Sequence, residues 1–173
     1  MRTQLAKLGS DTRFAFRGKF ARYGYKRNHD RSGFEHYVPT IMLTDVQVYT
    51  NSQWHDVTNH LWFNLTKGFA QLGLLTKGDL ILFHGRVNDY FKGYFTQETQ
   101  HDFKLSYPTQ IKYAEPKDKI IPLPSECNAI VGLIMNLEWN FYKSTGRPID
   151  SFCLSSFADS KEAHIYNYGV KIH

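Results

Sequence analysis

Two kinds of side chain in this sequence could do chemistry, and they point in different directions. Eight histidines stand among sixteen carboxylates, and three sit directly before an aspartate: His29-Asp30, His55-Asp56 and His101-Asp102. Such pairs raise metal binding or acid–base catalysis. Neighbours on a strand face opposite ways, however, so a pair of this kind does not converge on one ligand. No H-x-x-x-H, HExxH, GxSxG, phosphate-loop or CxxC spacing occurs. The residues therefore predict no catalytic group, no metal and no cofactor. The rival reading, a small metal nuclease, would show itself as activity that depends on added divalent metal.

The second kind is aromatic. Rings make up 16% of the chain, and several lie beside cations. In "YFKGYF" (90–95), Tyr90, Phe91, Tyr94 and Phe95 surround Lys92 and Gly93. A Lys-Gly centre predicts a tight turn, and rings at a turn tip gain little in water unless a planar ligand covers them. Arg17, Lys19, Tyr23 and Tyr25 lead into Lys26, Arg27 and Arg31. Rings interleaved with cations suit a polyanion that exposes flat faces. Each base–aromatic stack contributes about 1–3 kcal/mol whatever the base. Arginine adds cation–π contact, and lysine acts as a point charge on phosphate.

The charge is local. Residues 1–36 carry nine Lys/Arg against three Asp/Glu, while the rest carry 12 against 13. A local basic surface attracts polyanions through Coulomb forces and counterion release.

These residues need elements to hold them. Over residues 12–26 Phe14, Phe16, Gly18 and Phe20 alternate with Arg13, Ala15, Arg17 and Lys19, which predicts a strand. Its glycine predicts a bulge or sharp coil. Residues 27–36 form a loop, 38–50 a second strand and 53–66 a third. Leu61, Phe63 and Leu65 share one face of the third, with Trp62 on the other. Residues 67–79 predict a short helix closed by Lys77-Gly78-Asp79. Residues 80–90 form a fourth strand, with Ile81, Phe83 and Val87 inward and Arg86 outward. A fifth falls within 101–114. The succession is strand, strand, strand, short helix, strand, strand, which predicts a mainly β chain: a five-stranded OB-fold barrel with a helix between strands three and four.

Residues 1–11 read as a flexible arm, 12–114 as the barrel domain and 115–173 as a C-terminal extension. In the extension a proline-rich strap precedes a helix over 126–143, with Ile130, Leu133, Ile134, Leu137 and Phe141 at helical spacing. That stripe predicts packing in the monomer over a subunit interface. The last ten residues alternate weakly and predict a terminal strand. Cys127 and Cys153 are not spaced as a metal knuckle. No apolar run reaches the ~20 residues that span a bilayer, and no signal sequence opens the chain. The expected location is the cytoplasm, with reduced thiols and no membrane contact.

The stretches "LWFNLTKGFAQL", "LTKGDLILFHGRV" and "YFKGY", with "FRGKFARYGYKR" before them, resemble bacterial single-stranded DNA-binding proteins. The resemblance covers roughly residues 12–114. It implies a barrel whose surface binds single-stranded DNA with little sequence preference, as an oligomer or a cooperative filament. The site it implies, together with the charge and ring patterns, comprises Arg17, Lys19, Tyr23, Tyr25, Lys26, Arg27, Arg31, Trp62, Arg86, Tyr90, Phe91, Lys92 and Tyr94. Many members of that family end in an acidic tail with a Pro-Phe tip, whereas this chain ends "NYGVKIH". It thus looks like a divergent plasmid- or phage-type relative serving DNA replication, transfer or recombination. The alternative is an OB-fold module for single-stranded RNA or for a replication- or defence-related protein.

Overall fold

The computed structural model describes residues 2–92 and 100–167, with Lys92, Gln100 and Asn167 described in backbone only. Its elements in chain order are α1 (Thr3–Ala6), β1 (Arg13–His29), β2 (Glu35–Thr50), β3 (Gln53–Asn64), α2 (Lys67–Ala70), β4 (Leu80–Lys92), β5 (Gln100–Tyr113), α3 (Cys127–Leu137), α4 (Trp139–Ser144), α5 (Ser151–Ala158) and α6 (Ala163–Asn167). The five strands form one sheet in the order β3-β2-β1-β4-β5. The β1–β4 and β4–β5 ladders are antiparallel. β3 and β5 are the two edges, with no pairing between them among the described residues. The chain is mainly β as expected, but the barrel is not closed.

The chain packs into two compact units, each drawn from separated stretches. The first takes Met1–Arg22, Met42–Trp62 and Leu75–Asp118, and the second takes Tyr23–Ile41, Phe63–Leu74 and Lys119–His173. β1, β2 and β3 contribute to both, so the units interleave in sequence instead of dividing after residue 114.

In the first unit, alternation decides what is buried, with the row on β2 shifting by one residue at Asp45. Phe16 and Phe20 of β1, Leu43 and Val48 of β2, Val57 and Leu61 of β3, and Ile81, Phe83 and Val87 of β4 are all buried. The Phe16 and Phe83 rings stack at 5.7 Å. Each such side chain contributes about 1.5–3 kcal/mol by leaving water. Gly18 makes no bulge against β4: the β1–β4 register steps evenly from Arg13↔Arg86 to Lys19↔Leu80. Its role is close approach, since a Cβ there would meet the Leu43 Cβ at 3.1 Å. β2 is irregular at Asp45, at φ 50°, and β5 is irregular against β4. Leu82, His84 and Arg86 face Lys112, Thr109 and Ser106, so β5 carries one extra residue in each of two successive steps. Residues 1–11, expected as a flexible arm, include α1 with Leu5 fully buried.

In the second unit α3 is buried along most of its length, from Ala129 to Asn136. It packs on α5 within the same chain, as its apolar stripe predicts. Gly132 permits this, because a Cβ there would lie 2.0 Å from the Cys153 carbonyl oxygen. Asp150 caps α5 by accepting the Cys153 amide at 2.8 Å, a contact that contributes about 1 kcal/mol. Leu123, Leu133, Phe157, Ala163 and Tyr166 form the adjoining core.

Several expected boundaries move. The helix over 67–79 shrinks to the four residues of α2. β1 continues to His29, and the loop begins at Asp30, whose Oδ1 accepts the Ser32 and Phe34 amides as a local turn. The helix over 126–143 divides into α3 and α4 at Glu138, which leaves helical geometry at φ −111 and ψ 25. α5 has no counterpart among the sequence expectations. Part of the predicted terminal strand is α6; the rest lies outside the described residues. Among the described residues no helix is long and apolar enough to cross a membrane.

Candidate functional site

The outward face of the first unit collects rings and cations. β2 and β3 meet at a two-residue turn in which Asn51 and Ser52 both have positive φ, 49° and 62°. This is the twisted hairpin turn that suits flanking strands, and it sets residue 49 opposite residue 54. Accordingly the Tyr49 and Trp54 rings lie 5.2 Å apart, tilted by 53°. The Arg17 guanidinium carbon sits 4.5 Å from the Trp54 ring centroid. Arg17 Nε donates to Gln47 Oε1 at 2.6 Å, and Gln47 Nε2 donates to Asp56 Oδ1 at 2.7 Å. The guanidinium is thereby fixed before any ligand arrives. Farther along β3, Trp62 is 42% exposed, with the Arg22 guanidinium 5.4 Å from its ring.

β1 and β4 add the charge. Arg13 and Arg86 are direct cross-strand partners, an arrangement of like charges that costs free energy. Arg13 is held by β4 and β5: its Nη1 donates to the Tyr107 carbonyl at 2.6 Å, to Thr109 Oγ1 at 2.9 Å and to the His84 carbonyl at 3.4 Å. The Arg86 side chain is exposed and has no hydrogen-bond or ion-pair partner among the described residues. Lys19 pairs with Asp45 at 3.1 Å in full view of solvent, a contact of little energetic weight. Between the Tyr49–Trp54 corner and β5 lies a cavity of about 410 Å³.

The expected site residues therefore separate. Arg17, Lys19, Trp62 and Arg86 belong to the outward face of the first unit. Tyr90 and Phe91 lie within β4, facing Asp102 and His101, and Lys92 faces Gln100. Lys92 is therefore a strand residue, and Gly93, the other half of the expected turn, lies outside the described residues. The Tyr90 hydroxyl accepts Arg2 Nη1 at 3.2 Å, and Lys104 Nζ stands 5.5 Å from its ring. Phe91 is 68% exposed and lies 5.5 Å from the His101 ring. The Lys92 side chain and Tyr94 lie outside the described residues.

Tyr23, Tyr25, Lys26, Arg27 and Arg31 belong to the second unit. The two tyrosines are corrected to core positions. Tyr23 is buried, with its hydroxyl donating to the Gly73 carbonyl. Tyr25 is buried against Tyr37 and Tyr142 and donates to the Pro148 carbonyl. Burial pushes its hydroxyl up to about 12. Neither ring is open to a ligand. Lys26, Arg27 and Arg31 are exposed, and Arg27 pairs with Glu35 at 3.0 Å.

Tyr49, Trp54 and Arg13 were not among the expected site residues. The signal for the first two was the Asn-Ser turn, whose length alone sets Tyr49 beside Trp54. Among the described residues no cluster of three or more His, Cys, Asp or Glu could hold a metal ion. The chain matches no protein-family model and no curated protein sequence.

Proposed function

We propose that the outward face of the first unit binds single-stranded DNA with little sequence preference and without catalysis, as an open relative of the OB-fold. The observation that carries this reading is a ring with an arginine against it, twice along β3: Trp54 with Arg17 and Trp62 with Arg22. Trp62 follows Trp54 by eight positions, an even step that keeps them on one face, about 26 Å apart along a strand. That span suits a site of roughly 4–16 nucleotides. The element succession β1-β2-β3-α2-β4-β5 supports the same fold family. The Arg13–Arg86 pair supports an anionic ligand, because a phosphate between the two would relieve their repulsion. Such a surface would cover strands exposed during replication or transfer.

The test is a titration of fluorescent dT oligomer at two salt concentrations, with duplex DNA and matched RNA as competitors. The reading expects tight binding that weakens steeply with salt and that neither competitor displaces. Displacement by RNA would reassign the face to RNA. No binding at low salt would reassign it to a protein partner.

A further inference from the structure

The cavity beside the Tyr49–Trp54 corner has features that a generic stacking face does not need. Its volume of about 410 Å³ lies within the span of small-molecule pockets, about 300–1,000 Å³. Ala15 lines it and sits between Arg13 and Arg17 on the outward row of β1, so the smallest side chain of that row leaves the opening. The opposite wall is Gln110, Ile111 and Lys112 of β5.

That wall is strained. The two extra residues of β5 coincide with Tyr107 and Gln110, at φ 53° and 51°. Neither is a glycine, and a non-glycine residue held in the left-handed region costs on the order of 1–3 kcal/mol. Bulges of this kind re-aim side chains and concentrate beside binding sites. Arg13 braces the segment through the Tyr107 carbonyl and the Thr109 hydroxyl. The result is an apolar, ring-bearing cavity with His84, Gln110 and Lys112 as its few polar groups. Ring faces, amide and imidazole groups and one lysine together match a planar heterocycle that carries an anion.

We propose that this cavity is a single-nucleotide pocket, which takes one base out of the run of the strand, against the Tyr49–Trp54 rings, with its phosphate toward Lys112. The proposal deepens the reading of this face as a single-strand binding surface and rests on it for its biological setting. It also makes a claim of its own: the pocket binds a free nucleoside 5′-monophosphate.

The experiment uses the full chain labelled with ¹⁵N and follows the Trp54 indole signal, assigned by its loss in Trp54→Phe. Deoxynucleoside 5′-monophosphates, inorganic phosphate and thymidine are titrated separately, with the dT oligomer in parallel. The expected result is a saturable Trp54 shift with at least one monophosphate, while phosphate and thymidine act about tenfold more weakly or not at all. Ala15→Leu fills the cavity and abolishes that shift. Gln110→Gly, which accepts positive φ without strain, folds at least as stably as the parent and weakens monophosphate binding by removing the polar wall. It serves as the second variant if Ala15→Leu fails to fold. Oligomer binding with no monophosphate shift at about millimolar concentration overturns the pocket and leaves the surface reading standing. Monophosphate binding without oligomer binding supports the pocket and overturns the surface reading. Loss of both overturns both.

Discussion

The Arg2 guanidinium lies 2.9 Å from the Asp102 carboxylate, a hundred residues along the chain. The Arg2 amide donates to the other carboxylate oxygen at 2.8 Å, and Arg2 also donates to the Phe103 carbonyl. The first residues are thus fastened to the β4–β5 pair. Burial alone would raise the Asp102 pKa, but hydrogen bonds from the Arg2 and Phe103 amides and the Arg2 charge outweigh it and lower it. A lowered carboxylate contributes stability above its ordinary range near 4, and that contribution is lost as pH falls through the folded value. Arg2→Ala leaves the nearly buried carboxylate short of partners and costs about 1–3 kcal/mol. Urea unfolding at neutral pH and below pH 3 checks both claims: the gap between variant and parent narrows in acid. An equal gap at both pH values would detach the clip from Asp102 ionisation.

The rings give the next prediction. Trp54→Ala and Trp62→Ala each remove a stacking surface and weaken oligomer binding by about 1–3 kcal/mol, with circular dichroism unchanged. Tyr23→Phe and Tyr25→Phe leave affinity unchanged and instead lower stability by about 1 kcal/mol each, the value of one internal hydrogen bond. Fluorescence anisotropy and thermal melts on the four variants separate the two groups. A Tyr25→Phe protein that folds normally and loses affinity would return the second unit to the binding surface.

How far these residues could be placed from sequence depended on parity. Phe16 and Phe20, Leu61 and Phe63, and Ile81, Phe83 and Val87 follow period two, and their inward face was legible. Tyr23 and Tyr25 were not, because β1 leaves its even-numbered row after Phe20 and buries Tyr23, Gly24 and Tyr25 in succession where it passes from the first unit to the second. Trp54 was legible only through the turn length between it and Tyr49. The β5 bulges carry no glycine, so Tyr107 and Gln110 give no signal in the letters. α5 escaped because its eight residues bury only Cys153 and Phe157, too thin a stripe in a serine-rich stretch.

Arg86 tests the electrostatic half of the proposal. Removing it in Arg86→Ala ends the like-charge pairing with Arg13, so the free protein keeps or raises its melting temperature. Its affinity for dT oligomer falls, and the slope of log K against log salt becomes shallower by about 0.7, the value of one phosphate contact on a single strand. Anisotropy across a salt series measures the slope. An unchanged slope would remove Arg86 from the site, and a lower melting temperature would show that the pair is not repulsive.

The second unit stands or falls at Gly132. Its missing Cβ would sit 2.0 Å from the Cys153 carbonyl and 2.9 Å from the Phe157 Cβ, and a backbone carbonyl cannot swing aside as a flexible side chain would. Gly132→Ala therefore separates α3 from α5 and costs about 3 kcal/mol or more. Cys153 reports the event. Burial, then its contact with Asp150, pushes the thiol up to about 12, while Cys127 is exposed. In the parent at pH 8 an alkylating reagent modifies Cys127 slowly, since its thiol is raised as well, and spares Cys153, whose thiol is both raised and buried. In Gly132→Ala both thiols react. The raised thiol also sets an alkaline limit: its contribution is whole below the ordinary value near 9 and declines as pH climbs from there toward 12. Continued protection of Cys153 in Gly132→Ala would mean that α3 and α5 repack around the methyl group, and the close approach would then be a convenience of packing, not a requirement.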